Sequence, residues 1–229
     1  MSAFVVQRPF NPPAVMPRRL WAVLLSTLLV ALGLALAGCD QEAKALKETN
    51  AAFDRAIDSL DGDGAAAFLS TESVSRATTL LRHAATMTKE QVQSLPLGDR
   101  LEILIMRARL TPKQMRELDG RGYFALAVRS QWLGSTSDAG RTAVKINSRG
   151  TEGIITLYRK GNPIPLEGHF VKENGQWKCN NGVTRASTIR DIASGARENG
   201  MTENQYLLAV VRRFVNSEVT ETLWDRPRG

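Results

Sequence analysis

Two cysteines and two histidines are all this chain has, and aromatic residues make up only 6% of it. Cys39 and Cys179 cannot by themselves build a disulfide framework or a cysteine-based metal site. No HExxH, GxSxG, phosphate loop or cysteine nucleophile with its partners is present. No metal ligand set, cofactor or catalytic residue is therefore assigned. His83, beside Arg82 on an expected helix, reads as a surface or boundary residue. Charge of one sign is not gathered into blocks either. Thirty basic residues face 23 acidic ones, a net charge of +7, and acids lie between the bases along the chain. That pattern describes a solvated, mildly cationic surface rather than a nucleic-acid footprint. No internal repeat or low-complexity block occurs.

What is present is one organising stretch, Pro17 to Asp40. Arg18 and Arg19 precede an uncharged, largely apolar run from Leu20 to Ala37, and small residues then lead to Cys39. A basic flank, an apolar centre and a small-residue exit are the marks of a secretory signal peptide. Leu36-Ala37-Gly38-Cys39 resembles the lipobox of bacterial lipoproteins. The resemblance implies that Cys39 receives a diacylglyceryl group and becomes the mature N-terminus after residues 1–38 are removed. It also implies a protein facing the periplasm or other extracytoplasmic space, tied to the membrane by acyl chains. In enterobacterial members of that class an aspartate after the lipid cysteine retains the protein in the inner membrane, and Asp40 stands there. The alternative is an uncleaved membrane helix, because the run is close to the ~18 residues that can begin to span a bilayer. In both cases the basic flank places the body outside the cytoplasm. Met16-Pro17-Arg18-Arg19 is the more usual opening of such a leader, so the true start is expected at Met16. An acylated Cys39 leaves Cys179 without a partner, and Cys179 then reads as a small core hydrophobe.

The body divides into helices, then strands, then helices. Apolar residues at helical spacing predict a helix over Gln41–Leu60, closed by Asp61-Gly62-Asp63-Gly64. A second helical region, Gly64–Thr86, is expected to break near Ser70-Thr71. Thr88 with Gln91 resembles a capping box. Helices follow over Asp99–Arg109 and, with Thr111 as N-cap and Pro112 at the first helical position, up to Leu118. Asp119-Gly120 is expected to close this last helix. From Gly122 the period reads as alternating, which predicts five strands: Tyr123–Trp132, Arg141–Ser148, Gly153–Lys160, Ile164–Glu173 and Gln176–Asn180. Val183–Gly200 is weakly helical. Thr202 and Gln205 form a second box, opening a helix whose stripe runs from Tyr206 to Val215.

Asn174-Gly175 is the strongest hairpin signal in the chain. A two-residue turn there pairs Glu173 with Gln176, Lys172 with Trp177, Val171 with Lys178 and Phe170 with Cys179. Leu166, Gly168, Phe170, Trp177 and Cys179 then share one face, expected to be the inner one. His169, Val171 and Lys178 share the other, so His169 is expected to point away from the interior.

Helices followed by an antiparallel sheet give an α+β fold. The strand order, with Gly168-His169-Phe170-Val171-Lys172-Glu173-Asn174-Gly175-Gln176-Trp177-Lys178, resembles the closing hairpin of the nuclear-transport-factor-two-like, or cystatin-like, α+β roll. The resemblance implies N-terminal helices packed on a curved sheet, a cone open at one end, over residues 39–182. Residues 183–229 are then a C-terminal helical extension. Tyr123, Phe170 and Trp177 are the candidate pocket lining. The expected function is a lipid-anchored, non-catalytic binding or accessory module. Its partners are the membrane through Cys39, and an envelope protein through helix 203–215, but no nucleic acid. An enzyme with a small-ligand pocket inside the roll is the alternative; it requires a titratable group buried among Tyr123, Phe170 and Trp177. A structural subunit of an envelope complex is another; it requires an exposed apolar face on residues 203–215.

Overall fold

Local capping chemistry sets most helix starts in the computed structural model, which describes residues 41–132, 139–147, 149–159, 166–180, 186–215 and 219–227. Contacts divide the chain into two units between Gln41 and Glu42, and the fold is that of the second, Glu42–Gly229. It is α+β, with nine α-helices and a four-stranded antiparallel sheet among the described residues.

Helix α1 covers 41–58. Its end is not made by glycine. Leu60 takes the left-handed conformation, φ 60°, while the Asp61 amide bonds back to the Ala56 carbonyl at 2.9 Å. Asp61 instead starts a new helix, α2 (Gly62–Ala66), by accepting from the Gly64 amide. The expected break at Ser70 is present: the Ser70 side chain accepts from the Ser73 amide and opens α3 (Thr71–Thr86). Reciprocal capping boxes open α4 (Lys89–Gln93) at Thr88 and α6 (Pro112–Glu117) at Thr111. Between them α5 (Leu97–Arg109) begins directly after Pro96, two residues before the expected Asp99.

The expected strand Tyr123–Trp132 is a helix, α7 (Gly120–Arg129). Asp119 does not close the preceding helix alone; its side chain accepts from the Gly122 amide at 2.8 Å and caps α7. The reason for the misreading is packing. Phe124 and Val128 face one hydrophobic cluster, whereas Tyr123 and Leu126 face another. A short apolar run cannot be told from a strand by period alone.

Strands β1 (Ala139–Ile146), β2 (Glu152–Arg159), β3 (Leu166–Glu173) and β4 (Gln176–Cys179) follow one another in spatial order. The β3–β4 register is the expected one, from Glu173↔Gln176 to Phe170↔Cys179. Asn174 and Gly175 both have positive φ, 50° and 79°, which a two-residue hairpin turn of the right twist requires. Phe170, Trp177 and Cys179 are buried, 2%, 4% and 2% exposed.

Two hydrophobic clusters result. The smaller joins Leu46, Phe53 and Ile57 of α1 to Ile155, Phe170, Trp177 and Cys179 of the sheet. Phe53 stacks on Phe124 at 5.9 Å and meets Phe68 edge-on at 6.1 Å. The larger is helical, centred on Leu104, Ile103 and Met106 of α5. Helices α8 (Ala186–Glu198) and α9 (Glu203–Phe214) complete it with Ile192, Leu207, Leu208 and Val211, and Trp224 of the 3-10 turn Glu221–Trp224 closes it. The C-terminal segment thus contributes buried side chains to the larger cluster.

Candidate ligand-binding site

Strand alternation and register together build a cleft on the face of the sheet that carries Ile154, His169 and Val171, with Gly153 and Phe170 also at its border. Lys145 on β1 pairs with Ile154 on β2, and Ile154 pairs with His169 on β3. One step along, Glu152 pairs with Val171. Ile154 and Val171 form an apolar floor between the polar groups of Lys145, Glu152, His169 and Asn180, around a volume of about 280 Å³. His169 therefore lies outside the smaller cluster, as the hairpin faces require, but it borders a concavity rather than open surface.

The polar rim is partly organised. Asn147 terminates β1, and its Oδ1 accepts from the Thr151 amide at 3.0 Å and the Glu152 amide at 3.3 Å. Asn180 donates to Glu72 Oε2 at 3.1 Å and accepts from Ser73 Oγ at 3.2 Å, and its amide bonds the His169 carbonyl at 2.7 Å. His169 Nε2 stands 3.7 Å from Glu167 Oε2. At that length and exposure such a pair stabilises by at most about 1 kcal/mol, and only when the imidazole is charged. What the cleft can do is bind: it offers a cation, a carboxylate, an imidazole and an amide around an apolar floor, the usual make-up of a small-molecule site. Lys145 and Asn147 sharing a face, and His169 and Val171 sharing a face, follow from alternation. Their meeting in one cleft needs the β1–β2 and β2–β3 registers, which no turn motif announces.

The three sequence-derived pocket residues are not brought together. Tyr123 lies on α7 among residues of the helical cluster, its ring 6.4 Å from Trp132. Burial pushes its hydroxyl up to about 12, with Glu102 acting in the same direction. Phe170 and Trp177 share the smaller cluster, and Phe170 also borders the cleft. The titratable group beside Trp177 is Glu42. It accepts from Lys172 Nζ at 2.6 Å and from Trp177 Nε1 at 3.2 Å. The bond from Lys172 holds this carboxyl below its ordinary range. A carboxylate so occupied is a poor proton acceptor for a substrate.

On helix α9, Leu207, Leu208 and Val211 are 0%, 2% and 1% exposed and belong to the helical core, with Tyr206 and Val210 partly buried against it. Cys39 and Asp40 lie outside the described residues. Among the described residues no helix is long and apolar enough to cross a membrane, and no three His, Cys, Asp or Glu side chains gather as a metal site. His83 sits on α3 with Nδ1 buried and unbonded among the described residues. Comparison with known protein families, with characterised proteins and with solved structures finds no match for the chain.

Proposed function

We propose that the protein is a lipid-anchored lipoprotein of the bacterial cell envelope, facing the periplasm, and that it works as a non-catalytic binding or accessory module. One observation carries the proposal: Leu36-Ala37-Gly38-Cys39 stands at the end of an apolar run that begins directly after Arg18-Arg19. Each acyl methylene buried in the bilayer contributes roughly 0.8 kcal/mol, so two or three chains on Cys39 hold firmly where one binds reversibly. Asp40 favours retention in the inner membrane. The body is then a cone-like roll of the nuclear-transport-factor-two-like kind, its helices on a curved sheet, with residues 183–229 added to the pattern. The antiparallel order of the strands and the shared cluster of α1 with the sheet support that reading.

The cleft around Ile154 supports a binding role, because it gathers polar groups on an apolar floor. The protein's partners are the membrane through Cys39 and an envelope protein through helix 203–215, on which Arg212 and Arg213 are exposed. The test is processing in a native bacterial host. Cells grown with labelled palmitate should yield a labelled chain starting at Cys39, and globomycin should leave the precursor uncut. Cys39→Ser should abolish both label and cleavage. A mature protein of unchanged mass under globomycin, without label, overturns the proposal.

A further inference from the structure

The arginines of this protein divide by what they touch. Arg76 engages Asp99 and Glu102, Arg100 engages Glu203 at 2.8 Å, and Arg129 engages Asp63 at 3.1 Å. Arg82 on α3 and Arg116 on α6 engage no carboxylate among the described residues. Both are exposed, and both border one groove between these helices, of about 190 Å³. Its apolar lining is Ala85, Met115 and Leu118. The two threonines at its edge are already committed. Thr78 Oγ1 donates to the Val74 carbonyl and accepts from the Gly120 amide, both at 2.8 Å, and Thr86 Oγ1 donates to the Arg82 carbonyl at 2.7 Å. Arg82 and Arg116 are the charged residues of its lining.

We propose that Arg82 and Arg116 form a binding site for a phosphoryl group attached to a short apolar body. Guanidinium forks match carboxylate and phosphate oxygens in pairs, which a lone ammonium cannot do. A carboxylate offers two oxygens in one plane. A phosphoryl group offers three strong acceptor oxygens in different directions, and so suits two forks approaching from separate helices. The apolar lining takes the adjoining carbon skeleton, and the small volume limits it to a ring or the first part of a chain. The phosphate could belong to a soluble monoester or to a lipid head group, and the groove chemistry is the same for both. The site does not depend on lipidation of Cys39.

The full chain, reconstituted in neutral phosphatidylcholine vesicles, tests it by phenylglyoxal modification read by mass spectrometry. Exposed Arg55 on α1 serves as internal reference. Phenyl phosphate should slow modification of Arg82 and Arg116 at least fivefold, and leave Arg55 unchanged, relative to sodium chloride of equal ionic strength. Protection by vesicles containing phosphatidic acid, with no added phenyl phosphate, would assign the source to lipid and also supports the site. Equal rates in both arms and in chloride overturn it. Arg116→Lys keeps the charge and removes the fork; it should weaken phenyl phosphate by about tenfold or more without altering thermal unfolding. Undiminished affinity in that variant also overturns the assignment.

Discussion

Arg107 Nη1 donates to the main-chain oxygen of Trp224 at 2.6 Å, joining positions 117 residues apart. The same guanidinium bonds the carbonyls of Ala84 at 2.9 Å and Met87 at 2.7 Å, so one side chain ties the end of α3 to the C-terminal turn. Arg107 is 8% exposed, and burial draws its pKa down to about 10 against a smaller opposing effect of Asp225. It is thus a cation throughout the neutral range, solvated by carbonyl oxygens instead of water.

Removing that cation leaves buried carbonyls without a donor and frees the Trp224 main chain from the guanidinium that holds it. Arg107→Ala should destabilise the fold by about 2–4 kcal/mol, given the usual value of charge-assisted bonds and unsatisfied acceptors. Urea unfolding followed by tryptophan fluorescence measures it. A midpoint unchanged from the parent protein would show that the turn is held by Trp224 packing alone.

The Glu42–Lys172 bond predicts an acid limb in stability. The carboxyl is held below its ordinary value of 4.5 in the folded state, chiefly by the bond from Lys172. The unfolded chain therefore takes up the proton first. The stabilisation is fully present above pH 4.5 and is lost as pH falls through the lowered folded value. Glu42→Gln should be less stable than the parent above about pH 5, and the gap should close toward acid. Paired denaturation curves from about pH 3 to 7 would show it; a gap independent of pH would disprove the linkage.

Gly120 and Gly153 both lie in close approaches, but the neighbours differ in stiffness. A methyl at Gly120 would strike the backbone carbonyl of Val74, whereas one at Gly153 would meet the tip of the Leu46 side chain. Overpacking against backbone forces a helix shift, and such strain costs typically about 1–3 kcal/mol. Gly120→Ala should therefore lower the melting temperature more than Gly153→Ala, by calorimetry of the two variants side by side. The reverse order would mean that α3 and α7 separate easily.

Asp119 reports on whether Tyr123–Arg129 is helical in solution. Its side chain satisfies the Gly122 amide at 2.8 Å. Loss of an N-cap costs about 1 kcal/mol, so Asp119→Ala should lower stability by that amount, and Asp119→Ser or Asn should restore most of it. If all three substitutions behave alike in chemical denaturation, Asp119 is no cap and the helix assignment fails.

Features decided within four or five residues were legible in the chain itself. The boxes at Thr88 and Thr202, the proline after Thr111, the break at Ser70 and the Asn174-Gly175 register each depend on a side chain meeting backbone one turn away or on a turn of two residues. That register puts Phe170, Trp177 and Cys179 on one face and His169 on the other. Tertiary structure decided the rest, because it sets which faces find neighbours. In α7, Phe124 and Val128 face one cluster and Tyr123 and Leu126 the other, a division set by the packing around the helix. The period of α9 marks an apolar stripe, and only the packing shows that Leu207, Leu208 and Val211 join Leu104 of α5 and Ile192 of α8 in one cluster. Nothing near Arg107 in the chain marks it for burial; the carbonyls of Ala84, Met87 and Trp224, scattered along the chain, converge on it. Short-range hydrogen bonds carry their own geometry, whereas burial is a property of what comes to lie alongside.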